Sequence, residues 1–253
     1  MSRFTRFRLV TFDLRDTLIR LRADAGRRFT EIANRLGIET DENSIRTSFA
    51  EAWKKLRNEH PNFGLASGLS LKNWWDRLIF ETFRTHLDGP GDPRIEAVSQ
   101  NVEEILTSPV QWQTCPGCPQ LLAQLQDHQI RMGVVSNFDT RLDKLLDRMG
   151  LKEYFAFAVA SYNEGAEKPD RRLFNRALFL SRLPGIKAKD ALHIGRQATA
   201  DYHGAREAGW SSIIVSDWTP EKIIERYPSV QRNHIFPNLD ELRKKWAQGA
   251  VKW

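Results

Sequence analysis

Apolar positions along the chain follow two rhythms, and the change between them falls near residue 110. Before it they recur three and four residues apart: Phe29, Ile32, Ala33 and Leu36 within 25–36, and comparable sets within 44–56, 71–83 and 95–106. That period predicts four amphipathic helices with no strand between them. Two stretches rich in turn residues separate helices, 61–70 with Gly64 and Gly68, and 87–93. Trp53, Trp74, Trp75, Phe80 and Phe83 stand at helical spacing, which makes them core of this segment rather than a ligand cage.

From Trp112 onward short β-rich runs alternate with helical ones. Helices are expected over 119–126, 141–149, 171–180, 200–208 and 239–246, and strands over 132–135, 155–160, 192–194, 212–215 and 234–236. Such alternation predicts a doubly wound parallel sheet. One more strand stands far upstream: Leu9, Val10, Thr11 and Phe12 are apolar and β-branched between charged neighbours, the pattern of a central strand covered on both faces. The expected fold is therefore an α/β, Rossmann-like doubly wound core formed by 1–20 and 110–253, with an all-helical insertion at 21–109. No internal repeat or low-complexity stretch interrupts it.

In an open α/β sheet, ligands sit in the crevice beyond the carboxyl ends of the strands, so residues just past each strand are the candidates for chemistry. Asp13 and Thr17 follow the first strand; taken alone, Asp13 serves as well for a turn cap. The run R-M-G-V-V-S-N ends on Ser136 and Asn137, groups that bind phosphate or carboxylate oxygens. Lys168 lies in E-K-P-D at the head of a helical pattern. The run A-L-H-I-G-R-Q-A-T-A-D carries Arg196 and Asp201 past a fourth strand.

The order and spacing of Asp13, Ser136, Lys168 and Asp201 resemble the four motifs of the haloacid dehalogenase superfamily, and the match runs over nearly the whole chain. The segments R-F-R-L-V-T-F-D, H-P-N-F-G, A-E-K-P-D, D-Y-H-G-A-R-E-A-G-W and G-A-V-K-W are similar, more narrowly, to the haloacid dehalogenase-like hydrolase domain-containing protein 3 group. The resemblance implies that the helical insertion is a cap over the crevice. It implies Asp13 as nucleophile, Thr17 and Ser136 on the ligand's oxygens, Lys168 steadying the charge of Asp13, Asn137 beside the ligand and Asp201 as a site carboxylate. Magnesium is the family's usual cofactor.

Two departures change that picture. Family phosphatases carry D-x-D at the first motif, the second Asp being the acid/base; here that position is Arg15, and Asp16 comes one residue too late. The fourth motif is G-D-x-x-x-x-D in the family, the first Asp binding magnesium; here Gly195 is followed by Arg196, and only Asp201 is kept. An arginine neither ligates a cation nor releases its proton near neutral pH. No metal is expected, and if one binds, Asp13 and Asp201 are its carboxylates. Three readings follow: a pseudo-phosphatase holding a small phosphate- or carboxylate-bearing molecule on Arg15 and Arg196; a metal-independent hydrolase resembling the 2-haloacid dehalogenases; and a weak magnesium phosphomonoesterase using Asp13.

Composition refines the partner. The 253 residues carry 38 Lys and Arg against 32 Asp and Glu, a formal charge of +6, but the two signs are interspersed. That argues against nucleic acid and for a small anion. No run reaches membrane-spanning length, and M-S-R-F-T-R-F-R lacks the apolar stretch of a signal peptide. A cytoplasmic setting is expected; those arginines leave a mitochondrial one open, and a nuclear one stays open as well. Cys115 and Cys118 form C-P-G-C, read as a turn into a helix in preference to a redox pair. His128, His193, His203 and His234 have no partner spacing and are taken as structural.

Overall fold

The computed structural model describes residues 6–23, 25–89 and 91–253. The expectations placed on residues 1–5, and on Pro90 in the second turn-rich stretch, lie outside it. The chain divides into two compact units, one running up to Arg20 and resuming over Gln113–Trp253, the other Leu21–Trp112.

The first unit is built on six parallel strands. β1 (Leu9–Phe12) is buried along its whole length, as a strand apolar on both faces must be. It pairs with β4 (Arg131–Ser136) on one side and β6 (Ala191–Gly195) on the other. β5 (Phe157–Ala160) adds beyond β4, and β7 (Ser211–Val215) and then β8 (Ile235–Phe236) beyond β6. The spatial order β5-β4-β1-β6-β7-β8 reverses direction between β1 and β6, and the crevice of such a sheet opens at that switch point.

Helices cover the sheet through apolar stripes. α8 (Arg171–Ser181) sets Leu173, Phe174 and Ala177 in one buried cluster with Leu9, Val135 and Val159. Another cluster joins Tyr202, Ile214, Ile223 and Ile235. α5 (Cys118–Asp127), α6 (Leu142–Arg148) and α11 (Leu239–Ala247) lie where the apolar period places them, within two residues at each end. Beyond short 3-10 turns, the structure adds α7 (Ser161–Glu164), α10 (Pro220–Arg226), the short pair β2 (Ile19–Leu21) and β3 (Trp112–Thr114), and a break in the helix expected over 200–208. That break is a π-helical turn, Ala198–His203, which passes into a single α-turn, α9 (Gly204–Glu207).

The second unit consists of α1 (Ala25–Arg35), α2 (Glu42–Glu59), α3 (Leu71–Phe83) and α4 (Arg94–Thr107). Asp41 caps α2 by accepting from the backbone N–H groups of Asn43 and Ser44, and Ser70 caps α3 through Asn73. Phe29, Ile32, Ala33, Ile79 and Phe83 share one core cluster; Trp74, fully buried, centres another, with its indole N–H on the His60 carbonyl at 3.0 Å. Among the described residues no helix is long and apolar enough to cross a membrane.

Candidate active site

Asp13 continues the ladder one residue past β1, its N–H donating to the Ile194 carbonyl at 2.9 Å, and this holds its side chain at the switch point. The chain then turns tightly. Asp16 lies at φ +58°, and its N–H bonds to the Ile19 carbonyl while Leu14, Leu18 and Ile19 are driven into the core. Aspartate is among the few residues other than glycine that accept the left-handed region as single residues.

Lys168 is the centre of the site. Its ammonium has three protons and three buried acceptors: Asp13 Oδ1 at 2.9 Å, Asp201 Oδ1 at 2.6 Å and the Val135 carbonyl at 2.6 Å. The backbone around it is gripped by Asn137, which accepts from the Lys168 N–H at 2.6 Å and donates to the Lys168 carbonyl at 2.9 Å. Ser136 donates to Asp13 Oδ1 at 3.0 Å, so that oxygen is held twice, while among the described residues no hydrogen bond to Oδ2 is made.

Asp201 comes from the π turn. Its Oδ1 accepts from Lys168 and from His193 Nε2 at 3.2 Å, and its Oδ2 from the backbone N–H groups of Arg196 and Gln197 at 2.9 and 2.8 Å. The carboxyl approaches β6 so closely that a Cβ on Gly195 would stand 2.3 Å from Asp201 Cγ; only glycine fits there. His193 faces Asp201 from within β6, with Thr11 on its other nitrogen at 2.9 Å and the edge of Phe174 against its ring. A carboxylate only accepts, so the proton sits on Nε2 and Nδ1 accepts from the Thr11 hydroxyl.

Ionisation follows from burial and neighbours. Burial lifts the Asp13 carboxyl above its ordinary value, against the pull of Lys168. Asp201 is buried too, yet Lys168 and His193 outweigh that and hold it well below the usual carboxylate range. Burial would lower Lys168, but the two carboxylates keep it above its ordinary value and charged. Burial, with Lys168 close by, lowers His193 and keeps it neutral.

The structure joins Asp13, Ser136, Asn137, Lys168 and Asp201 in one network, and gives Arg15 and Arg196 a different meeting point. Arg196 donates from Nη1 to Asp16 Oδ2 at 2.6 Å, and Arg15 Nε lies 3.6 Å from the same oxygen. Both guanidiniums are partly exposed. Thr17 is buried, and its hydroxyl has no partner among the described residues. Two assignments shift in character. Asn137 spends its amide on the Lys168 backbone, and Asp201 spends all four acceptor positions on protein donors. His193, taken as structural, is instead in direct contact with a site carboxylate, and Asp16 is the shared counter-ion of the two arginines.

The magnesium ion implied by the resemblance does not suit these residues. Asp201 has no acceptor position left, Lys168 already neutralises it, and an arginine stands where the metal carboxylate would be. Among the described residues no three His, Cys, Asp or Glu side chains are arranged to hold a metal. The C-P-G-C turn carries no redox signature either: both cysteines are buried free thiols, and burial pushes Cys115 up to about 12 and raises Cys118 as well. Gly117 in that turn lies at φ +82°, and a Cβ there would stand 2.1 Å from the Asp240 N at the head of α11, a packing role.

The family model described as haloacid dehalogenase-like hydrolase matches residues 7–209. The "Rhythmically expressed gene 2 protein" of Drosophila melanogaster is 35% identical over 260 residues, covering 100% of both chains. The human "Haloacid dehalogenase-like hydrolase domain-containing protein 3" is 32% identical over 244 residues, 96% of this chain and 94% of its own. Among solved structures, a 2-haloacid dehalogenase from Pseudomonas syringae superposes with a TM-score of 0.63 at 23% identity, covering 96% of this chain and 99% of the other. The L-2-haloacid dehalogenase from Xanthobacter autotrophicus gives 0.63 at 15% identity, covering 94% and 98%; at such identities these two likenesses speak for the fold alone. The sequence matches, the parallel six-stranded core and the resemblance of the four strand ends agree: this chain belongs to the haloacid dehalogenase-like hydrolase family.

Proposed function

We propose that the protein holds a small molecule bearing a phosphate or a carboxylate at the Asp13 crevice, on a hydrolase fold whose metal-dependent phosphatase chemistry is impaired. The observation that carries this reading is the complete commitment of Asp201 to Lys168, His193 and two backbone N–H groups, with Arg15 and Arg196 in place of the acid/base and the metal carboxylate. Phosphoester hydrolysis by an aspartate nucleophile needs a cation to offset the repulsion between carboxylate and phosphate, and a proton carrier for the leaving group and the water. An arginine supplies neither. Loss of the acid/base alone costs about two to four orders of magnitude in rate. The same guanidiniums suit an anion, because their planar donors match carboxylate and phosphate oxygens. Thr17 adds a buried hydroxyl that no described residue engages, available to a ligand oxygen.

In this reading the helical unit is the family's cap by its place in the chain, the partner is a small anion and neither nucleic acid nor membrane, and the unpaired buried cysteines fit a cytoplasmic setting. Titration calorimetry with inorganic phosphate and phosphosugars in the absence of metal tests it. Saturable binding is expected, and a wild-type protein that binds none of them ends the reading. Magnesium-dependent turnover of phosphomonoesters that disappears in Asp13→Asn would instead favour the weak phosphomonoesterase.

One observation favours a second reading. Asp13 Oδ1 is fixed by Ser136 and Lys168, while among the described residues none donates to Oδ2, the posture of a nucleophile. A metal-independent hydrolase of the 2-haloacid dehalogenase kind would use Oδ2 to displace halide from carbon, and water would then cleave the ester. Chloride release from 2-chloropropionate, absent in Asp13→Asn, is its test; no release from short haloacids removes it.

A further inference from the structure

The two arginines that the proposed anion site depends on are not waiting empty. Asp16 Oδ2 takes a hydrogen bond from Arg196 Nη1 at 2.6 Å and has Arg15 Nε at 3.6 Å. Among the described residues Asp16 is the one acid that either arginine meets. Its reach is set by the backbone. With φ at +58° and its N–H tied to the Ile19 carbonyl at 2.7 Å, the turn presents the carboxylate to Arg196, 180 residues further along the chain. The three side chains are 55%, 32% and 40% exposed for Arg15, Asp16 and Arg196, so the cluster is open to water and to ligands.

We propose that Asp16 is a built-in competitor for the anion site, and that it makes the site select a doubly charged anion, a phosphate monoester, over a monocarboxylate. This rests on the anion-binding reading above and adds what that site chooses. Arg15, Asp16 and Arg196 together carry a net charge of +1. A monocarboxylate that enters takes the position Asp16 already fills; one carboxylate replaces another, the total of charge pairing is unchanged, and the ligand still loses its translational freedom. A phosphate dianion differs in two ways. It brings two charges for two guanidiniums, and it offers three acceptor oxygens for bidentate pairing. Asp16, one-third exposed already, turns to water as the dianion enters. Asp16 is thus a specificity-determining residue and takes no part in bond making.

The test uses a matched pair of ligands, benzoate and phenyl phosphate, at pH 8, where a phosphate ester with a second pKa near about 6 is dianionic. Dissociation constants are measured by calorimetry at fixed ionic strength without metal, for wild type, Asp16→Asn and Arg196→Ala. Asparagine keeps the tolerance of the left-handed backbone and removes only the charge. Asp16→Gly, which suits the same φ, repeats the test on a second background. Wild type is expected to bind phenyl phosphate and not benzoate. Both Asp16 variants are expected to bind phenyl phosphate about fivefold more tightly, the scale of one exposed ion pair, and to gain benzoate binding, so that the preference narrows. If both variants match wild type for both ligands while Arg196→Ala loses phenyl phosphate, the anion site stands and the competitor role of Asp16 is wrong. If Arg196→Ala binds phenyl phosphate as wild type does, the anion is not on this arginine and both the inference and the reading beneath it fail.

Discussion

Lys168 shows how far single side chains decide this molecule. Its three protons serve Asp13, Asp201 and the Val135 carbonyl, so Lys168→Met, close in volume, leaves two buried carboxylates with no countercharge. Breaking a buried pair by removing one partner costs about 3–5 kcal/mol. Denaturant unfolding of the variant should show a loss of that size, and an unchanged midpoint would contradict the network described. His193 gives a prediction in pH. Its folded pKa lies below the ordinary 6.5, so the unfolded chain binds the proton first, and the stability it contributes is present above 6.5 and lost as the pH falls below that value. The loss is at most about 1.4 kcal/mol for each pH unit below 6.5. Asp13, raised, acts with the opposite sign, since its stability falls as the pH rises from 3.8 through its folded value; His193 acts on Asp13 only through its charge, so that contribution is common to wild type and His193→Gln where His193 is neutral. The stability difference between those two proteins should therefore shift between pH 7.5 and 5.5 in the direction that spares the variant, and a constant difference would show that His193 does not stay neutral. Asp13, Ser136, Lys168 and Asp201 were legible because each closes a strand or opens a helix. His193 was not: one histidine inside A-L-H-I-G reads as filler. Its meaning comes from Thr11, which lies opposite it only because β1 and β6 are neighbours.

At the scale of elements, the π turn Ala198–His203 is what delivers Asp201 to Lys168. Both Asp201 and Tyr202 donate their N–H groups to the Gln197 carbonyl, an extra residue in the turn that a helical apolar period does not reveal. Gly195 leaves room for the result. Gly195→Ala places a methyl inside the Asp201 carboxyl, and the displacement should cost about 1–3 kcal/mol and weaken phosphate binding together. A stable variant with unaltered binding would mean that Asp201 is free to move aside. Length explains most of the elements that went unforeseen. β2 and β3 have three residues each, too few for alternation to stand out, and α7 is a single turn. α10 is different, since Thr219 at its N-cap and Pro220 just inside it form a start signal carried by the sequence itself.

At the scale of the whole molecule, the helices α1 to α4 are inserted between the first strand of the parallel sheet and the rest of it, and the apolar rhythm changes near residue 110, where strands and helices begin to alternate. Strand order was less accessible. The pairing of β1 with both β4 and β6 depends on crossovers longer than any sequence window, and it is this pairing that gathers Asp13, Ser136 and Asp201 at one edge. At this scale the two arginines oppose a cation, which predicts a repair. Arg15→Asp with Arg196→Asp changes the formal charge of the crevice by −4, and should raise magnesium affinity well above that of either single variant. Magnesium binding equal to wild type in a folded double variant would show that the arginines do not guard a common site. The central claim is that the wild-type crevice prefers an anion to a metal. Calorimetric titration of wild-type protein with inorganic phosphate and, separately, with magnesium chloride tests it most directly. Saturable phosphate binding without metal and no measurable magnesium binding are expected; magnesium binding that is lost in Asp13→Asn, with no phosphate binding in its absence, would contradict an anion site.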